Sequence, residues 1–176
     1  MTDSITVADY SQHAPRAEVP AGIFDDELGK TAVILLRARE RAATSRLPYA
    51  GAVTPQEAWT LLSAQAAVLV DVRTTEERQY VGRVPGSVHV PWATGAALQR
   101  NPRFVRDLES KVRRDQVLLL LCLSGGRSAA AAQASAQARF CNAFNVLEGF
   151  EGELDDLQQR SSRGGWRFHG LPWVQD

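Results

Sequence analysis

The chain predicts an α/β fold with a mostly parallel sheet and helices on both faces. Two observations carry that prediction. Its strand-like segments are short continuous apolar runs, Val117-Leu-Leu-Leu-Leu121 above all, with no polar alternation. Such runs belong to strands buried on both faces. Helix-type segments stand between successive strand-type ones, and a parallel neighbour is reached through such a crossover. In sheets of this kind ligands bind beyond the carboxyl ends of the strands.

The elements follow in order. Residues 1–22 contain Pro15 and Pro20 and show no hydrophobic period, so an irregular arm is expected there. Phe24-Asp-Asp-Glu27 places acidic residues at a helix start, where the dipole favours them. The helix is expected to run to Ser45, with Leu28, Val33, Leu35 and Leu36 as its apolar stripe. Arg37, Arg39, Arg41 and Arg46 load its second half with charge that reads as a solvated face. Leu47-Pro-Tyr-Ala-Gly51 ends it. Residues 1–50 therefore form an arm and helix, and residues 51–176 the main domain.

That domain opens with Thr54-Pro-Gln-Glu57, a capping box with proline at the first helical position. Its helix turns Ala58, Leu61 and Leu62 inward. Residues 67–72 form a short buried strand, residues 74–81 a short helix containing Glu76 and Glu77, and residues 82–86 a turn. A short strand follows at 87–90. Asn101-Pro102 opens a helix with Phe104, Val105, Leu108 and Val112 on one face. Then come the strand that ends at Cys122, an alanine-rich helix to Arg139, and a last strand at 143–147. Residues 151–165 are polar and read as an exposed insertion. Trp166 and Trp173 are expected to pack.

At 176 residues there is room for one sizeable core plus an extension. The formal net charge is +0, which argues against nucleic-acid binding by bulk positive charge. Met1-Thr-Asp-Ser has neither a basic nor an apolar leader region, and no apolar run is long enough to span a bilayer. The histidines, His13, His89 and His169, are scattered, so no metal site is expected. Cys122 and Cys141 have no disulfide-scaffold context, and a reduced, cytoplasmic setting is the expectation. Cys141 is read as a packing residue, with a resolving thiol for Cys122 as the alternative.

The segment Cys122-Leu-Ser-Gly-Gly-Arg-Ser128 carries the chemistry. It joins a strand's carboxyl end to a helix N-terminus. Gly125 and Gly126 let the loop curl and turn successive N–H groups toward one point. The first N–H groups of the helix lack intrahelical partners, so an anion is stabilised there. Arg127 adds a permanent positive charge. A thiolate at Cys122 would be favoured as a nucleophile. Without the glycines and arginine, a buried core thiol would be the simpler reading.

These residues resemble the active-site loop of the rhodanese (sulfurtransferase) family, Cys-x-x-Gly-x-Arg-Ser. Two further blocks resemble the same family: Val68-Leu-Val-Asp-Val-Arg73 with Glu76-Glu77 and Gly82-Arg-Val-Pro-Gly-Ser87, and Asn145-Val-Leu-Glu-Gly149. The ending Gly170-Leu-Pro-Trp173 is also similar. The resemblance covers about residues 54–173. Arg83 departs from it, standing where many relatives have histidine.

The resemblance implies a rhodanese-like three-layer fold and a cofactor-free, metal-free sulfurtransferase. Cys122 would take a sulfane sulfur from thiosulfate, polysulfide or a low-molecular-weight persulfide, and pass it to a thiol or to cyanide. Leu123, Ser124, Gly125, Gly126, Arg127 and Ser128 would cradle the anion. Asp71 would accept hydrogen bonds from that loop, and Arg73 would pair with Glu77. Arg127 would bind donor oxygens or pair with a carboxylate. A sulfur relay or persulfide-sensing module that serves a protein partner is the alternative. A cysteine phosphatase is a third reading, but only four residues separate Cys122 from Arg127. The phosphatase loop has five, and the shorter loop suits a single sulfur better than a tetrahedral phosphate.

Overall fold

The computed structural model describes residues 27–175. The expected arm at residues 1–22, and the Phe24-Asp25-Asp26 helix start, lie outside them. Helices α1 (Glu27–Ser45), α2 (Pro55–Ser63), α3 (Thr75–Val81), α4 (Phe104–Glu109) and α5 (Gly126–Gln137) surround a five-stranded parallel sheet. Its order is β1 (Gly51–Val53), β7 (Ala143–Val146), β6 (Leu118–Leu121), β2 (Val68–Asp71), β3 (Val88–His89). A small antiparallel ribbon, β4 (Ala93–Thr94) with β5 (Gln99–Arg100), stands apart.

Side-chain alternation along the strands divides the core into two layers. Leu69, Leu119, Leu121, Phe144 and Val146 pack with Ile34 and Ala38 of α1 and with Ala58 and Leu61 of α2. Val70, Leu118, Leu120 and Cys122 face the other way, toward Phe104 and Leu108 of α4 and Ala131 and Ala132 of α5. The four central leucines of β6 are fully buried, which explains their unbroken apolar run.

Two elements differ from expectation. β1 forms where a helix end and a domain start were expected, pairing with β7 from Gly51 opposite Phe144 to Val53 opposite Val146. Three residues carry too little pattern to announce a strand whose partner lies so far along the chain. Gly51 is required by contact: a Cβ there would lie 2.2 Å from the carbonyl oxygen of Ala38 in α1. The β4–β5 ribbon is likewise too short to read from sequence. The capping box at Thr54 forms, with Glu57 N–H donating to Thr54 Oγ1 and Thr54 N–H to Glu57 Oε2. Among the described residues no helix is long and apolar enough to cross a membrane.

Candidate active site

Cys122 follows the last residue of β6, and α5 begins four residues later at Gly126. Gly125, the residue before the helix, adopts φ 97° and ψ −22°, a left-handed conformation that turns its N–H back on the cysteine. That N–H donates to Cys122 Sγ at 3.1 Å. The hydroxyl of Ser128, in the first turn of α5, also lies 3.1 Å from Sγ. Gly125 supplies no side-chain cap, so the leading N–H groups of α5 point toward the same loop. Two donors on a buried sulfur at a helix N-terminus form an arrangement suited to a sulfur anion.

The loop's carbonyls are held from the other side. Cys122 C=O accepts from Phe150 N–H at 2.8 Å, and Leu123 C=O accepts from Glu151 and Gly152 N–H at 2.9 and 3.2 Å. Gly149 allows this contact: a Cβ there would stand 2.5 Å from Leu123 C=O and 2.6 Å from Cys122 C=O. Its φ of 66° is also left-handed. This is the physical task of the glycine that ends Asn145-Val-Leu-Glu-Gly149. Leu123 and Ser124 are half-buried, Gly125 and Ser128 are buried, and Gly126 is exposed.

The ionic partners depart from expectation. Glu77 pairs with Arg127 and not with Arg73; Arg127 Nη1 and Nη2 lie 2.7 and 2.5 Å from the two carboxylate oxygens. Arg73 turns to Asp71 instead, through Nε at 3.0 Å and Nη2 at 2.7 Å, with both side chains fully buried. The geometry of the turn favours this exchange, because Arg73 N–H also reaches Asp71 Oδ1 at 3.0 Å.

Asp71 does not take hydrogen bonds from the Cys122 loop. Asp71 and Cys122 stand at the same end of the sheet, with Asp71 opposite Leu121. However, Asp71 shares the alternation of Leu69, on the α1–α2 side, whereas Cys122 faces α5. Asp71 therefore anchors Arg73, whose guanidinium stacks 4.1 Å from the Phe150 ring centroid and donates to Gly82 C=O at 2.8 Å. Arg78 Nη1, which the sequence reading missed, lies 3.3 Å from Asp71. Burial lowers the pKa of Arg78, and the neighbouring Asp71 opposes that effect.

Glu77 has a second task. Its Oε2 accepts Thr74 N–H at 2.9 Å while Thr74 Oγ1 accepts Glu77 N–H, capping α3. Thr74-x-x-Glu77 is the same sequence signal as at Thr54 and was legible by the same rule. Burial pushes the Glu77 carboxyl up; the hydrogen bonds from Arg127 and Thr74 N–H outweigh it, leaving the group below the ordinary glutamate value.

Cys141 is exposed, against the expectation that it packs. It precedes β7, at the opposite end of the parallel sheet from Cys122. At about 3.3 Å per strand residue that separation is far too long for a resolving thiol. Trp166 and Trp173 do pack: Trp166 is buried with Nε1 donating to Pro172 C=O at 2.9 Å, and Trp173 meets Phe150 edge-on at 6.1 Å between centroids. Within the 151–165 segment, residues 153–159 are mostly exposed, while Gly152, Gly164 and Gly165 are buried at its base. Among the described residues no group of side chains is placed to hold a metal ion.

The family model for the rhodanese-like domain matches residues 54–154. The crystal structure of Rv0390 from M. tuberculosis superposes with a TM-score of 0.67 at 41% identity, covering 73% of this chain and 99% of that one. An uncharacterized protein of Rickettsia prowazekii is 36% identical over 109 residues, 61% of this chain and 82% of its own length. Thiosulfate sulfurtransferase 16, chloroplastic, of Arabidopsis thaliana is 30% identical over 133 residues, 74% of this chain and 97% of its own. With its parallel sheet and its Cys122-to-Ser128 loop in place, the chain belongs to the rhodanese-like domain family.

Proposed function

We propose that this protein is a sulfurtransferase that carries a sulfane sulfur as a persulfide on Cys122. The observation that carries the reading is the pair of donors, Gly125 N–H and Ser128 Oγ–H, each 3.1 Å from Sγ. The Cys122 thiolate attacks the outer sulfur of a donor such as thiosulfate. A new S–S bond forms, the donor's S–S bond breaks, and sulfite leaves with the bonding pair. An acceptor, cyanide or a thiolate, then attacks the outer sulfur of the persulfide and restores the Cys122 thiolate. No net redox change and no cofactor are needed. The two donors to Sγ hold the thiolate; in the persulfide the negative charge passes to the outer sulfur, which the N-terminal end of α5 favours. Only 1% of Cys122 is exposed, so a single terminal sulfur atom fits its approach better than a bulky electrophile.

Intact mass after thiosulfate treatment tests this directly. The wild type should gain the mass of one sulfur atom and Cys122→Ser should not. Thiocyanate should form with cyanide as acceptor. Loading in Cys122→Ser, or no loading of the wild type by thiosulfate, polysulfide or an alkyl persulfide, would remove the assignment. Loading without turnover would move the reading to a relay that hands its sulfur to a partner protein.

A further inference from the structure

We infer that Glu77 sets the charge of the donor that Cys122 accepts, by cancelling Arg127 and so favouring monoanionic sulfur donors over dianions. The inference rests on the sulfur-transfer reading above and concerns the same site.

Arg127 is the loop's own cation. The hydrogen bond from Glu77 raises its pKa first of all, and the negative charges of Glu77, Cys122 and Asp71 act in the same direction. It stands in the first turn of α5 next to Ser128, whose hydroxyl lies 3.1 Å from Cys122 Sγ, so its charge belongs to the same loop. Free, it would draw in a dianion. Both of its Nη atoms are instead committed to Glu77, at 2.7 and 2.5 Å. The two side chains are each only 20% exposed, so water screens the pair weakly. Glu77 cannot swing aside cheaply, because Oε2 also closes the N-terminus of α3 through Thr74 N–H. Of the remaining charges, Asp71 is taken by Arg73 at 2.7 Å and shared with Arg78 at 3.3 Å; the charge of Arg73 reaches Glu77 and that of Asp71 reaches Arg127, so these two neighbours act on the pair with opposite signs.

The Arg127–Glu77 pair thus presents no net charge to a donor, and the attacking thiolate presents a negative one. Thiosulfate brings two negative charges. An arenethiosulfonate offers the same kind of outer sulfur with one charge fewer. Its reaction balances in the same way: the outer sulfur bonds to Sγ, the donor's S–S bond breaks, and an arenesulfinate leaves with the electron pair. Glu77 therefore acts as a specificity-determining residue by repelling the second charge.

The test compares KM for thiosulfate and for a benzenethiosulfonate salt, with cyanide as acceptor, in the wild type, Glu77→Gln and Glu77→Asp. One charge–charge contact across a half-solvated site changes binding about fivefold. Glu77→Gln should lower the thiosulfate-to-thiosulfonate KM ratio about fivefold, and added salt should erase that gain. Glu77→Asp, which keeps the charge, should retain the wild-type ratio. Equal changes for both donors in Glu77→Gln would reduce Glu77 to a structural brace and overturn the inference. The wild type gives a check that needs no variant: its thiosulfate KM should not rise with salt more steeply than the thiosulfonate KM, and a steeper rise would show an uncancelled Arg127. Failure of both donors to load Cys122 would instead strike the sulfur-transfer reading.

Discussion

The hydroxyl of Ser128 lies 3.1 Å from the sulfur of Cys122, six residues earlier in the chain, and 3.0 Å from the carbonyl of Gly125. A hydroxyl has one proton to give. When Sγ is a thiolate, the proton is drawn to it; when Sγ is a neutral thiol or the inner sulfur of a persulfide, the carbonyl competes. This side chain is thus placed to respond to the charge that sulfur transfer creates.

Ser128→Ala should lower kcat/KM for thiosulfate about 10- to 100-fold, the worth of one hydrogen bond to a charged group. The helix itself should survive, since alanine is a better helix former than serine. Steady-state thiocyanate production checks the first part and circular dichroism the second. Unchanged kinetics would mean that Gly125 N–H and the leading helix N–H groups suffice.

Asp71→Asn should act on stability before activity. It leaves Arg73 charged, fully buried and without its counter-ion. Breaking a buried pair from one side costs about 3–5 kcal/mol. Urea unfolding should show a loss of that order. The Cys122 loop should keep its persulfide loading below the new transition, because Asp71 donates no contact to it.

Gly149→Ala should damage the loop from behind. The added carbon would stand 2.5 Å from Leu123 C=O, on a backbone whose φ is 66°. Strain and overpacking together cost about 2–4 kcal/mol. Hydrogen exchange should speed up at the Phe150 and Glu151 amides, whose acceptors are Cys122 and Leu123 C=O. Sulfur transfer should fall with it.

The Glu77 carboxyl predicts an acid-side loss of stability. Burial raises its pKa, and Arg127 with Thr74 N–H lowers it further than burial lifts it. A carboxyl with a depressed folded value binds fewer protons than in the unfolded chain. Its contribution is therefore whole above the ordinary carboxylate range and is lost as pH falls through the folded value. Between about pH 5 and pH 3 the wild type should lose stability more steeply than Glu77→Gln. Urea midpoints across that range measure it, and parallel curves would contradict the assigned partner.

Much of this architecture is written in local pattern. Val117 to Leu121 announces a doubly buried strand by lacking polar residues, and Thr54-Pro-Gln-Glu57 announces a helix start by its own hydrogen-bonding groups. Cys122 to Ser128 announces an anion cradle, because glycine conformation and helix N-termini act over a few residues. These are properties of neighbours in the chain, so sequence alone determined them. The ion pairs were a different matter. Arg73 had Asp71 two residues before it and Glu77 four residues after it, and spacing could not choose between them. The choice was made by Arg127, 50 residues beyond Glu77, which α5 brings against α3. The side on which Asp71 lies was likewise decided by sheet register: Asp71 sits opposite Leu121, so its side chain and that of Cys122 leave through opposite faces. A one-residue difference in register reverses such an outcome, and only the assembled sheet specifies it.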